Sequence, residues 1–364
     1  MLDFPPLARF GELLATDLRD VTSDPTALDT TGFWAVAADF EGRLVCARFG
    51  RVRREPVPAP RPGAWHAPAP GDWTSSLDHA AYTAGVRRIR AHIAAGEVYQ
   101  ANLCRVLSAP VPAGADVDAL TSLLARGNPA PYAATVRLPG HGVEIATASP
   151  ELFLRRRGTL VESGPIKGTG RTEADLLEKD HTENVMIVDL VRNDLGRVCA
   201  TGTVTVPDLC VVEKHPGLVH LVSLVRGELR AGAGWSELFD ACFPPGSVTG
   251  APKSSALRVI GALETAPRGP YCGGIGWVDA DRGTGELAVG IRTFWIDRTA
   301  AGAVLRFGTG AGITWGSDPE GEWRETELKA ERLLAVASQG YDGPASGSWP
   351  APPGAPGERQ RDLT

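Results

Sequence analysis

The chain has 364 residues, 43% hydrophobic and 22% charged, with a formal net charge of −6. At roughly 100–200 residues per domain this is one large domain or two closely packed ones, and the composition excludes a disordered, collagenous or coiled-coil chain. The negative charge argues against a nucleic-acid partner, no apolar run approaches the ~18–20 residues of a membrane span, and MLDFPPLARF has no secretory pattern, so a cytoplasmic protein is expected.

FWAVAADFEGRLVCAR (33–48) predicts a hairpin turning at Glu41-Gly42. The Pro/Ala/Gly-rich stretch 55–73 predicts a linker or an ordered surface crossing. Tyr82, Val86, Ile89 and Ile93 fall on one helical face over 80–95, and Gly96 stops that helix. VYQANLCRVL alternates as a strand, and further strands are expected at 133–138, 143–149 and 151–157. A long helix is predicted over 173–195, with Thr172 as N-cap and Asp175 in the capping-box position. Strands follow at 210–213, 218–226, 272–279, 286–296 and 303–314, with helices at 235–242, 252–264 and 322–337. Strands without regular βαβ alternation point to an α+β fold with large antiparallel sheets. The expected division is a short β-containing segment with its linker (1–75), a main domain (76–338) and a disordered tail (339–364).

The six cysteines are scattered and form no CxxC pair, so they read as reduced, mostly buried small hydrophobes. Only five of 37 basic residues are lysines, at Lys167, Lys179, Lys214, Lys253 and Lys329. A lysine kept where arginine is the habit is informative, because only an amine readily deprotonates and attacks carbon.

Asp180 and Glu183 stand three apart on one predicted helix, as do Glu322 and Glu325 on another, with Lys329 one turn beyond. That spacing places each pair on one helix surface. Facing carboxylates would repel unless a cation lay between them, and oxygen-only ligands suit Mg²⁺; two solvated faces are the plainer alternative. GPIKGTGR (164–171) places Lys167 in a Gly-flanked turn after a strand. Glu151 opens a strand after Pro150, facing either a cavity or an exposed edge. FPPGSVTGAPKSS fails the P-loop pattern, since Ala251 and Pro252 stand where Gly and Lys belong. What remains is a turn feeding a helix with Pro252 at its first position, a place that attracts anions. Arg292 in a predicted strand suits bidentate carboxylate binding. His220 lies mid-strand among apolar neighbours, where a satisfied core histidine is the commoner outcome.

Nine stretches in order carry a resemblance: GEVYQANL, SPELF, PIKGT, ENVMIVDLVRNDLGRV, LVHLVS, PGSVTGAPK, GIRTF, GAGI and ETELKAERLL. Together they resemble the chorismate-utilising enzymes over residues 80–337. Within that family PIKGT is similar to aminodeoxychorismate synthase component I, because the anthranilate, isochorismate and salicylate branches typically carry Ala where Lys167 stands.

The resemblance implies two layered antiparallel sheets with helices outside. It implies amination of chorismate at C4, with ammonia from a separate glutamine amidotransferase subunit. Glu151 matches the acid that protonates the leaving C4 hydroxyl, and Lys167 the nucleophile that attacks C2. Glu183 and Glu325 match direct Mg²⁺ ligands, with Asp180 and Glu322 holding metal-bound water. Ser247 matches a hydroxyl near the ring carboxylate, and His220 a histidine beside the ring. Arg292 with the Gly310, Ala311 and Gly312 backbone matches the enolpyruvyl carboxylate site, and Lys329 a lysine near the metal-ligating helix. Trp277 stands where Tyr is common in the family, so a substrate contact there lacks a hydroxyl. An acid in the Glu151 role must hold its proton, so burial is expected to raise its pKa. The same site performing anthranilate or isochorismate synthesis is one alternative; a chorismate-binding regulatory subunit without turnover is another.

Overall fold

The computed structural model describes residues 4–339 except 62, 171, 177, 216 and 217. The expected tail lies almost wholly outside the described residues. The chain opens with β1 (Leu7–Phe10), β2 (Leu13–Thr22), β3 (Phe33–Ala38), β4 (Leu44–Arg54) and β5 (Thr74–Ser75). Then come α1 (His79–Ala94), β6 (Gln100–Val111), α2 (Val117–Gly127), β7 (Tyr132–Leu138), β8 (Val143–Ser149) and β9 (Leu152–Arg157). β10 (Leu160–Gly164) and β11 (Ile166–Gly170) precede α3 (Glu178–Gly196), β12 (Thr205–His215) and β13 (Leu218–Glu228). α4 (Trp235–Cys242), β14 (Gly250–Ala251) and α5 (Lys253–Leu263) follow. The last elements are β15 (Gly274–Asp279), β16 (Thr284–Val289), β17 (Thr293–Thr299), β18 (Gly302–Ile313) and α6 (Pro319–Gln339).

The α+β class with large antiparallel sheets holds, and among the described residues the strands join one hydrogen-bonded network of 18. Its spine is the antiparallel pair β6–β18, in register from Ala303 opposite Val111 to Ile313 opposite Ala101. Residues of β6 reach three apolar clusters. Cys104 and Val106 join the largest, with α3 and α4. Leu107 and Val111 pack with α2 and α6, and Ala101 and Leu103 pack with α1 and α5. The first strands belong to the same network, since β3 pairs with β15 and β1 with β7. The Pro-rich crossing is pinned: Trp65 Nε1 donates to the Ala337 carbonyl at 2.7 Å and Trp73 Nε1 to Ser338 Oγ at 2.8 Å.

Three local expectations are corrected. Thr172 and Asp175 cap a separate 3-10 turn over Glu173–Asp175, with the Thr172 amide 2.8 Å from Asp175 Oδ2, so α3 starts only at Glu178. Lys167 lies not in a turn but in β11, which pairs with β13 across a register shift between Ile166 and Thr169. The stretch 286–296 is two strands: β16 pairs with β9 and β15, whereas β17 pairs with β8 and β18. Arg292 sits in the break, where the chain changes partners, with a left-handed φ of 52°.

Candidate active site

Glu151 is the buried end of this site. Ser149 fixes the approach, accepting from the Glu151 amide at 3.2 Å and donating to the Val289 carbonyl at 2.6 Å. The carboxyl is 4% exposed. Burial pushes its pKa up to about 7, against the opposing pull of a Ser247 hydroxyl hydrogen bond, the Lys167 charge and the Ile166 backbone. A carboxylic acid that must keep its proton near neutral pH requires that direction. Lys167 Nζ, half-buried, donates to the Ser247 carbonyl at 3.3 Å. Ser247 thus meets Glu151 through its side chain and Lys167 through its backbone.

The loop carrying Ser247 is held from behind by a buried ion pair. Arg268, 1% exposed, donates to Glu264 at 2.6 Å and to the Val248 carbonyl at 2.8 Å. It also reaches the Asn102 carbonyl at 3.3 Å, which ties the loop to β6. Gly168 has φ 85°, and a Cβ there would lie 2.9 Å from Asp180 Cβ. Its missing side chain therefore admits α3, and not only a ligand, close to Lys167.

The four carboxylates lie on α3 and α6. Glu183 is raised by burial and by the charges of Asp180 and Glu325, against Lys167 and Lys179. Glu322, 5% exposed, is raised by burial and by Glu325. Burial also acts on Glu325, but Lys329, Lys179 and Lys167 outweigh it and leave that carboxyl below its ordinary value. Lys329 bridges Glu325 at 2.7 Å and donates to the Gly310 carbonyl at 3.1 Å, joining α6 to β18. Glu183 and Glu325 therefore feel one another across two helices. Among the described residues no three His, Cys, Asp or Glu side chains gather closely enough to hold a metal ion. The donor chemistry still fits Mg²⁺, which takes one or two carboxylates and completes its shell with water and substrate.

Arg292 is desolvated, which lowers its pKa, and among the described residues no group pairs with its guanidinium. Its side chain is half-buried, and a guanidinium there without a partner is ready for an anion. Gly310 and Gly312 have a different reason from open access. A Cβ on Gly310 would lie 2.5 Å from Cys104 Sγ, and one on Gly312 2.3 Å from Gln100 Nε2. Ala311 points the other way into the cluster beneath α1. His220 is buried in β13, opposite Thr169 of the lysine-bearing strand.

Trp277 lies in β15, stacked on Phe33 with ring centroids 5.7 Å apart, and no hydrogen bond among the described residues ties it to this cluster. Pro252 is the N-cap of α5 rather than its first residue. Two residues escaped the sequence reading. Gln100 is fully buried and its Oε1 has no partner beside Gly312. Tyr271, 6% exposed, packs on Gly308, where a Cβ would lie 2.0 Å from its ring. A buried amide inside an apolar strand was a readable signal for Gln100; nothing comparable marked Tyr271.

A family model for chorismate binding enzymes matches residues 32–335. The chain belongs to that family. Anthranilate synthase component 1 of Streptomyces coelicolor is 40% identical over 303 residues, covering 78% of this chain and 58% of that protein. Aminodeoxychorismate synthase component 1 of Salmonella typhimurium is 34% identical over 346 residues, covering 90% of this chain and 73% of that protein. The chain spans only about half to three-fifths of the length of several curated relatives it matches. In fold, the chain matches anthranilate synthase component I from Streptococcus pneumoniae with a TM-score of 0.75 at 22% identity, over 92% of this chain and 93% of that one. No helix among the described residues is long and apolar enough to cross a membrane.

Proposed function

We propose that the chain converts chorismate to 4-amino-4-deoxychorismate, using ammonia supplied by a glutamine amidotransferase subunit, in the cytoplasm. The observation that carries this reading is Lys167, an amine on the same Ser247 loop that hydrogen-bonds the buried acid Glu151. Glu151 gives its proton to the C4 hydroxyl as that group leaves as water. The Lys167 amine bonds to C2 and the ring double bond shifts as the C4–O bond breaks. Ammonia then bonds to C4, the double bond returns, and the C2–N bond to Lys167 breaks. Arg292 takes the enolpyruvyl carboxylate. Glu183 and Glu325 would hold Mg²⁺, with Asp180 and Glu322 on its water; the ion supplies positive charge for the ring carboxylate.

Anthranilate synthesis is the second reading, favoured by the 40% identity to the Streptomyces coelicolor relative against 34% to the Salmonella one. One experiment separates them. Purified chain, chorismate, Mg²⁺ and ammonium chloride are incubated and the products identified by mass and chromatography. 4-Amino-4-deoxychorismate supports the first reading; anthranilate in its place overturns it.

A further inference from the structure

The turn between β3 and β4 lies far in sequence from every group of the site, yet it grips the segment that follows α5. One carboxylate oxygen of Glu41 accepts the Arg268 amide at 2.7 Å, and the other accepts the Gly269 amide at 3.0 Å. The Phe40 amide donates to the Gly269 carbonyl at 2.7 Å. The Phe40 ring lies against the Arg268 guanidinium, its centroid 4.2 Å from the central carbon. Two neighbouring residues of one turn thus hold both the main chain and the side chain of Arg268. The donors of a guanidinium form a rigid planar fork, so fixing its plane fixes every partner. Those partners are Glu264, the Asn102 carbonyl and the Val248 carbonyl. Glu264 in turn accepts the Cys104 amide at 2.8 Å, which anchors the pair on β6. Val248 adjoins Ser247, whose carbonyl receives Lys167 and whose hydroxyl reaches Glu151.

We propose that Phe40 and Glu41 are positioning residues for the reaction: through Arg268 and the Val248 carbonyl they set the Ser247 loop, and with it the amine of Lys167 and the hydrogen bond on Glu151. The inference rests on the amination reading, in which these two groups act together on the ring. Stability is the weaker explanation of the contact. Glu41 is exposed, and water can replace a carboxylate on a backbone amide at little net cost. Water cannot supply a fixed plane for Arg268. A displacement of about 1 Å carried to the reacting groups is enough to change a rate by orders of magnitude.

Glu41→Ala and Phe40→Leu test this, with Arg43→Ala as the control. Arg43 braces the same turn from its other side, 3.7 Å from Asp39 Oδ2 and donating to the Gly142 carbonyl at 3.3 Å. Each variant is checked for folding by circular dichroism, and kcat is measured against pH with saturating chorismate, Mg²⁺ and ammonium chloride. Burial raises Glu151, while the Ser247 hydrogen bond, the Lys167 charge, the Ile166 backbone and the Lys329 charge pull it down. A loosened Ser247 loop weakens the first two of those opposing contacts, so the limb on which kcat falls near pH 7 should move upward. In Glu41→Ala and Phe40→Leu the shift should be about half a pH unit or more, with kcat lower by about tenfold and the KM for chorismate within about threefold. Arg43→Ala should leave both kcat and the limb unchanged. A purely structural contact would scale kcat equally at every pH. A limb that stays or falls in folded Glu41→Ala, or an Arg43→Ala that reproduces its effects, would overturn the positioning role. A wild type that forms no C4-aminated product would overturn the functional reading and this role with it, a result distinct from normal amination with an unmoved limb.

Discussion

The Glu151–Lys167 centre and the carboxylates of α3 and α6 lie side by side but differ in how far the protein completes them. At the first, burial, the Ser247 hydroxyl and the Lys167 charge already set the acid, whose carboxyl is 4% exposed. At the second, Glu183 and Glu322 are raised first by burial and then by neighbouring carboxylates, and the lysines offset only part of this. Strands and a braced loop build a finished centre because their backbone partners fix each side chain. Two helix faces bring like charges together, and lysines outweigh that repulsion at Glu325 but not at Glu183 or Glu322.

That contrast can be broken at the finished centre first. Lys167→Ala should lower C4 amination by a factor on the order of 10⁴ or more, since no covalent route remains. Product formation followed by mass checks this, and full retention would remove the covalent step. Glu151→Gln should lower kcat by about 10²–10⁴-fold. In the wild type, kcat at saturating ammonia should fall as pH rises through about 7, where Glu151 loses its proton. The Gln variant should lack that limb of the pH profile.

Stability gives a smaller effect with a defined sign. The folded pKa of Glu151 is raised from 4.5 to about 7. Its stabilising contribution is therefore fully present below pH 4.5 and lost as pH rises through about 7. Relative to Glu151→Gln, the wild type should lose about 3 kcal/mol between those limits, at 1.36 kcal/mol per pKa unit. Urea unfolding of both proteins at pH 4.5 and pH 8 measures it; parallel stabilities at the two pH values would contradict the buried-acid description.

The smallest expected effect sharpens the unfinished region. Glu183→Gln and Glu325→Gln should each weaken Mg²⁺ binding by about tenfold, or about 1.4 kcal/mol, with the fold intact. Calorimetric titration checks this. Unchanged affinity in both variants would reduce the carboxylates to a solvated helix face.

Sequence by itself determined the identity of the chemical groups and much of the element order, but not α2 or the strands β1, β2, β10, β11 and β14. Alternation marked most strands, and the 3.6-residue period marked α1, α4, α5 and α6, because these patterns record which face is buried. The scarcity of lysine drew attention to Lys167, and the ordered motifs gave the family. Tertiary structure decided what depends on partners distant in the chain. Lys167 became part of a strand only by pairing with β13, and Arg292 left its strand because β16 and β17 pair with different neighbours. Gly310 and Gly312 look like open backbone in sequence, yet Cys104 and Gln100 require the missing side chains. Trp277 stands where the family commonly has Tyr, and only the fold shows its ring stacked on Phe33. The proton affinity of Glu151 is the clearest case: sequence supplies a carboxyl, and only burial beside Ser247 and Lys167 sets its charge.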